Sequence, residues 1–153
     1  MNMKTIGMTV SHHGVGTALP DEWWAAAGMS NFVLSATAYR CDQAQAGGLR
    51  VCLIPIADIE PVHRAPGVPV FNDSIEEGIS ARERVERILR AFVANDALPP
   101  VELAKQAGRY HFRLRAGLHR LYCSIAAGFT EIPAVKALDL KAFDAGLDIE
   151  ELC

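Results

Sequence analysis

The chain has no C-x-x-C pair, no close grouping of cysteine with histidine, no long apolar run, no repeat and no low-complexity tract. Each absence narrows what the protein can be. Without clustered Cys and His, a structural zinc site is not expected. The adjacent His12 and His13 lack carboxylate or cysteine support and read as a solvated loop. Without ~20 consecutive apolar residues, no membrane-spanning helix is expected. The first ten residues are too polar and too short for a secretion signal, which points to the cytoplasm and to Cys41, Cys52, Cys123 and Cys153 as free thiols. A large excess of either charge is missing too. The net charge is only −3, so nothing draws the chain as a whole toward nucleic acid or an anionic membrane.

What is present is an ordinary globular composition. Half of the 153 residues are hydrophobic and 22% are charged, enough for one domain with a real core. Residues 20–28 read as a short helix, with Pro20 near its start and Gly28 past its end. At least one of Trp23 and Trp24 reads as a core anchor rather than half of a ligand-stacking pair. Residues 31–39 and 49–56 are apolar enough to be strands, joined by a polar loop over 41–48. Prolines and glycines break up residues 59–78, with a short strand expected at 68–71.

The plainest helix follows. Ser80 and Glu83 fit a capping box, and Val85, Ile88, Leu89, Phe92 and Val93 fall at the spacing of one helical face. Glu83/Arg87 and Glu86/Arg90 stand four apart and read as a solvated surface. Strands are expected at 101–104, 110–115 and 132–135, a second helix from His119 to Gly128 containing a buried Cys123, and a last helix carrying Leu140, Phe143 and Leu147. From Val51 onward the order is strand, loop, helix, strand, strand, glycine turn, helix, strand. This is a compact mixed α/β arrangement of the α+β class, two helices packed on a small sheet.

The stretch with most chemistry is Gly117-Leu118-His119-Arg120, at a strand-to-helix junction. Glycine allows a backbone path that a side chain would obstruct, and the first N–H groups of a helix have no partners within it. Those donors, the positive end of the helix dipole and the His119/Arg120 pair all suit an anion, phosphate above all.

These segments resemble the ParB/sulfiredoxin superfamily. The resemblance rests on residues 56–64 (I-A-D-I-E-P-V-H-R), 97–101 (A-L-P-P-V), 108–110 (G-R-Y), 116–123 (A-G-L-H-R-L-Y-C) and 127–135 (A-G-F-T-E-I-P-A-V), and covers roughly 51–136. It implies a domain over 51–138 and leaves 1–50 unexplained; by their own pattern these read as an N-terminal extension of short helix and hairpin packed on the domain, and 139–153 as a helical tail. It also implies a pocket for ATP or CTP, with or without Mg²⁺. Gly117, Leu118, His119 and Arg120 would cradle the phosphates, Arg64 would be a second cation, and Arg113 or Arg115 would add field from the strand. His119 reads equally well as a buried histidine that orients the turn.

The departures from the family are informative. Where sulfiredoxin reductants carry a cysteine before the H-R pair, this chain has Leu118, and an alkyl chain cannot replace a thiolate, so sulfinic-acid reduction is not expected. Many relatives carry an acid before the glycine, and here the residue is Ala116. Only 18 residues follow Val135, too few for the helix-turn-helix and dimerisation regions of a partition protein, so no dedicated DNA-binding domain is expected. The resemblance then implies a stand-alone nucleotide-binding domain acting as an NTPase or small-molecule phosphotransferase, with Glu60 as the carboxylate that takes the acceptor's proton and Asp58 and Glu131 as substitutes. The alternative is a non-catalytic regulatory module with a small-molecule or protein partner. A nuclease is disfavoured, because no carboxylate cluster is evident for two-metal chemistry.

Overall fold

In the computed structural model, the described residues are 3–4, 11–12, 15–16, 19–62, 80–137 and 152–153. Arg64, His13, the expected strand at 68–71 and the expected last helix lie outside them. Among the described residues, three α-helices and a four-stranded mixed sheet make an α+β fold. The helices are α1 (Asp21–Ala26), α2 (Ala81–Ala94) and α3 (Leu118–Ala127). The sheet strands are β1 (Cys52–Pro55), β2 (Val101–Lys105), β3 (Phe112–Ala116) and β4 (Glu131–Lys136), in spatial order β1-β4-β2-β3. β1/β4 and β2/β3 are antiparallel, and β2/β4 is parallel because α3 carries the chain back across the sheet. Near the amino terminus, two short antiparallel ladders pair Met3–Lys4 with Leu19–Pro20 and Ser11–His12 with Val15–Gly16.

Burial follows position in the sheet. Edge strand β1 alternates, with Cys52 and Ile54 inward and Leu53 and Pro55 outward. Central β4 buries Ile132, Pro133, Ala134 and Val135 in succession, as a strand covered on both faces must.

α2 begins as expected. Ser80 Oγ accepts from Glu83 N–H at 3.2 Å, and the Glu83 carboxylate accepts from the serine hydroxyl at 3.5 Å. It ends at Asn95, in the left-handed conformation that releases the chain. Val85, Ile88, Leu89 and Phe92 are buried, but Val93 is 47% exposed. Eight residues beyond Val85, it has turned roughly 80° away from that seam. On the outer surface, Glu86 pairs with both Arg82 (2.9 Å) and Arg90 (3.6 Å).

The stretch 31–39 is not a strand. Its one backbone attachment to the sheet is the Thr37 carbonyl, which accepts from Thr130 N–H and Glu131 N–H at 3.0 Å each. Its aromatics hold it instead. Phe32 lies 6.5 Å from Phe92 and 6.3 Å from Phe129 between ring centres, and Tyr39 stacks on Phe92 at 6.0 Å. Side chains that choose aromatic contacts over a ladder leave Val33 81% exposed. The 49–56 segment shortens to β1 and pairs with β4, so the expected hairpin with 31–39 does not form. Leu19, Trp24, Ala27, Met29 and Tyr39 nonetheless join the same core as Leu89, Leu103, Leu121 and Ile132. Trp24 is the buried indole and Trp23 is partly buried against it.

The cysteine reading needs correction. Cys52 and Cys153 form a disulfide with Cα atoms 6.1 Å apart, so two of the four thiols are not free. Nothing in their spacing of 101 residues announced the pair; it is the fold that brings residue 153 to the edge strand. Cys41 and Cys123 remain thiols, and complete burial pushes the Cys123 thiol well above its ordinary range. Closing a loop that long removes denatured-state entropy worth about 4–5 kcal/mol in the chain-entropy picture. Reduction, or Cys153→Ser, should therefore lower the thermal midpoint by roughly 10 °C, at ~2–4 °C per kcal/mol for a chain of this size. Calorimetry with and without dithiothreitol checks this. Identical midpoints would show that the cross-link contributes nothing.

Candidate functional site

The Gly117 turn is built as its sequence demands. Gly117 caps α3 with φ 106° and ψ 30°, left-handed values that other residues rarely adopt. Its carbonyl accepts the first helical bond from Leu121 N–H at 2.9 Å, and as glycine it brings no side chain of its own to cap the helix start. Space is as tight as conformation. A β-carbon on Gly117 would fall 2.6 Å from Val101 Cγ1 and 3.1 Å from Arg120 Nη2. The pairing of β2 and β3 shifts register between Glu102 and Leu103, beside this junction. Glycine is therefore required twice, for its dihedral angles and because β2 and the Arg120 guanidinium crowd its α-carbon.

The turn opens into a cleft of about 790 Å³. Gly117, Leu118, His119 and Arg120 all line it. Facing them from α2 are Arg84 and Arg87, one turn apart, and Ile88, Leu98 and Pro99 supply an apolar wall. Gln45 contributes from a single 3₁₀ turn at Gln43–Ala46. Three guanidinium groups and an imidazole thus share a cleft with a helix N-terminus, and none of its described lining residues is a carboxylate. Among its described residues such a lining suits anions and offers a divalent cation no carboxylate. Among the described residues, no three of His, Cys, Asp and Glu gather to hold a metal.

Arg120 also faces the segment behind the cleft. Its charge favours the ionised forms of Tyr39 and Cys41, but burial dominates both and pushes both groups up, with Asp42 raising Cys41 further. The Tyr39 hydroxyl accordingly stays protonated and donates to the Pro99 carbonyl at 2.6 Å. The raised Cys41 thiol carries less thiolate than an ordinary cysteine would.

Other expected residues stand elsewhere. Glu60 donates its N–H to the Phe112 carbonyl at 2.8 Å, at the far end of β3 from Gly117 and roughly 16 Å away along the strand. It does not line the cleft. Neither substitute does: Asp58 pairs with His111 at 3.9 Å, and Glu131 accepts from Thr37 Oγ1 at 2.7 Å. Arg113 and Arg115 lie on the face of β3 opposite Phe112 and Leu114 and do not reach the cleft. The chain just ahead of Arg64 is fastened to α3, where the Tyr122 hydroxyl donates to the Val62 carbonyl at 3.0 Å.

Sequence reasoning missed Arg84, Arg87 and Gln45. A usable signal existed for the arginines. The buried stripe on α2 fixes its inner face, and Arg84 and Arg87 flank Ile88 on one side of it. Gln45 carried none, because its approach depends on contacts distant in sequence.

No protein-family model matches the chain, and no curated protein matches it either. The site therefore stands on its own geometry.

Gly117→Ala should destabilise the fold by at least ~2 kcal/mol, from the left-handed backbone together with the contact on Val101. Urea unfolding measures it. Wild-type stability in this variant would mean that the turn relaxes freely, and the steric account would fail.

Proposed function

We propose that the protein contains a nucleotide-binding domain of ParB/sulfiredoxin type, holding the phosphates of a nucleoside triphosphate at the Gly117 turn. One observation carries this reading: a helix N-terminus whose N-cap residue is glycine opens into a cleft whose charged lining, among the described residues, is cationic. Backbone N–H groups at the start of α3 would meet phosphate oxygens directly, and Gly117 allows the close approach. Arg120 and Arg87 would add charge-assisted, fork-shaped hydrogen bonds, with Arg84 and His119 beside them. The cleft volume falls within the ~300–1,000 Å³ of small-ligand sites, enough for a base and sugar against Ile88, Leu98, Pro99 and Leu118.

Binding rather than transfer is the reading this lining favours. Phosphoryl transfer to a hydroxyl needs a carboxylate placed to take its proton. The nearest sequence candidate, Glu60, is at the opposite end of β3. A ligand-sensing or regulatory module, signalling to a small-molecule or protein partner, therefore takes precedence over an NTPase or phosphotransferase.

No helix among the described residues is long and apolar enough to cross a membrane. A nucleotide ligand argues for the cytoplasm, whereas the Cys52–Cys153 disulfide argues for an oxidising setting. Alkylating the thiols at the moment of cell lysis decides between them.

The functional test is a thermal-shift titration with tripolyphosphate and with ATP, CTP, GTP and UTP, with and without Mg²⁺. A ligand that binds only the folded chain stabilises it by ~2.7 kcal/mol at a hundredfold excess over Kd. The shift should weaken with salt and disappear in Arg120→Ala, whose folding is confirmed separately by circular dichroism. A folded wild type that no phosphate compound shifts would sink the proposal.

A further inference from the structure

Leu152 and Cys153 are neighbours in the chain but are fastened to opposite sides of the sheet. Cys153 is bonded to Cys52 on β1, one edge of the β1-β4-β2-β3 order. Leu152 lines a cavity of about 260 Å³ on the other side, together with Lys105 at the end of β2 and Phe112 at the start of edge strand β3. The two anchorages differ in kind. Leu152 is 7% exposed and belongs to the core cluster, so apolar burial seats it. Burying one leucine is largely offset by the conformational entropy lost in ordering the residues that carry it. The neighbouring covalent tether is what keeps that seat filled. Its two ends are unlike: Cys52 is buried, whereas Cys153 is exposed. A reductant therefore meets the bond from the Cys153 side.

We propose that Cys52–Cys153 is a redox latch: a dithiol reductant opens it in the folded protein, and Leu152 then leaves its seat and uncovers Phe112. A thiolate of the reductant attacks Cys153 Sγ, and Cys52 Sγ leaves and takes up a proton. The second thiol of the reductant, losing its own proton, displaces Cys153 Sγ, which is protonated in turn. Two electrons and two protons have then passed to the protein, and the reductant has become a disulfide. The sheet does not depend on the latch in the same way. Cys52, Leu53, Ile54 and Pro55 are laddered to Ala134, Pro133, Ile132 and Glu131, so β1 stays paired while the seat opens. The device is also separate from the phosphate reading, because Cys52, Leu152 and Cys153 are not among the described residues that line the Gly117 cleft.

Methyl-resolved NMR of the full chain tests this, on oxidised protein, after dithiothreitol without denaturant, and after reoxidation. Cys153→Ser runs beside it, since serine at an exposed position removes the bond without burying a hydroxyl. In the oxidised chain the Leu152 methyls should resonate at dispersed, buried-site positions. Reduction and Cys153→Ser should both move them to random-coil values, while the methyls of Leu89, Leu103 and Leu121, all buried in the core, stay where they were. Reoxidation should restore the first spectrum. Leu152 methyls that do not move when the bond is gone overturn the proposal, because the seat then holds without its tether. Collapse of the core leucine signals together with those of Leu152 overturns it as well, since the bond would then be a staple of the whole fold. A bond that dithiothreitol cannot open in the folded chain is the third contrary result.

Discussion

Contact between the α-carbon of Gly117 and the side chain of Val101 is the constraint on which the rest of this site depends. It brings the end of β3 against the start of β2 with no room for a β-carbon. The chain must then leave the sheet through a left-handed residue and enter α3 at once. From that junction follow the direction of α3, its return to β4, and the parallel pairing of β4 with β2 that closes the centre of the sheet. Because the N-cap residue is glycine, it brings no side chain to the helix start. Fold and cleft thus meet at one close approach.

Arg84, Arg87 and Arg120 come from two helices that pack side by side and line one cleft. Their partial exposure lets water screen the repulsion among them. The neighbouring acids are held apart by their own contacts: Asp42 by Gln45 and the Ala44 amide, Glu131 by Thr37, Asp58 by His111. The cationic character of the cleft is therefore local, in a chain whose net charge is −3.

The N-terminal fifty residues contribute to both core and site without forming a sheet of their own with β1. Trp24, Met29 and Tyr39 complete the core beneath α2, and the clustered rings of Phe32, Tyr39, Phe92 and Phe129 take the place of a backbone ladder. Tyr39 then anchors Pro99, and the Cys41–Leu98 bridge carries Gln45 to the cleft wall. Removing this segment would strip aromatic surface from the core and one wall from the site together.

Local pattern alone determined a good deal. The order of elements from β1 onward, the Ser80 cap, the buried stripe on α2, Trp24 as an anchor and the Gly117 turn were all legible, because each depends on residues within a few positions of one another. Tertiary structure decided the rest. Apolar residues at 31–39 read as a strand, but a strand needs a free edge to pair with, and ring contacts to Phe92 and Phe129 were available instead. Glu60 stands near Arg64 in the chain yet far from Gly117 in space, because its neighbour Ile59 bridges to the opposite end of β3. Arg84, Arg87 and Gln45 reach the cleft only once α2 and the 3₁₀ turn have packed, and Cys52 meets Cys153 only once the chain has closed on its edge strand. Short-range pattern encodes turns, caps and faces, whereas which faces and charges meet is set by packing between segments that the sequence keeps far apart.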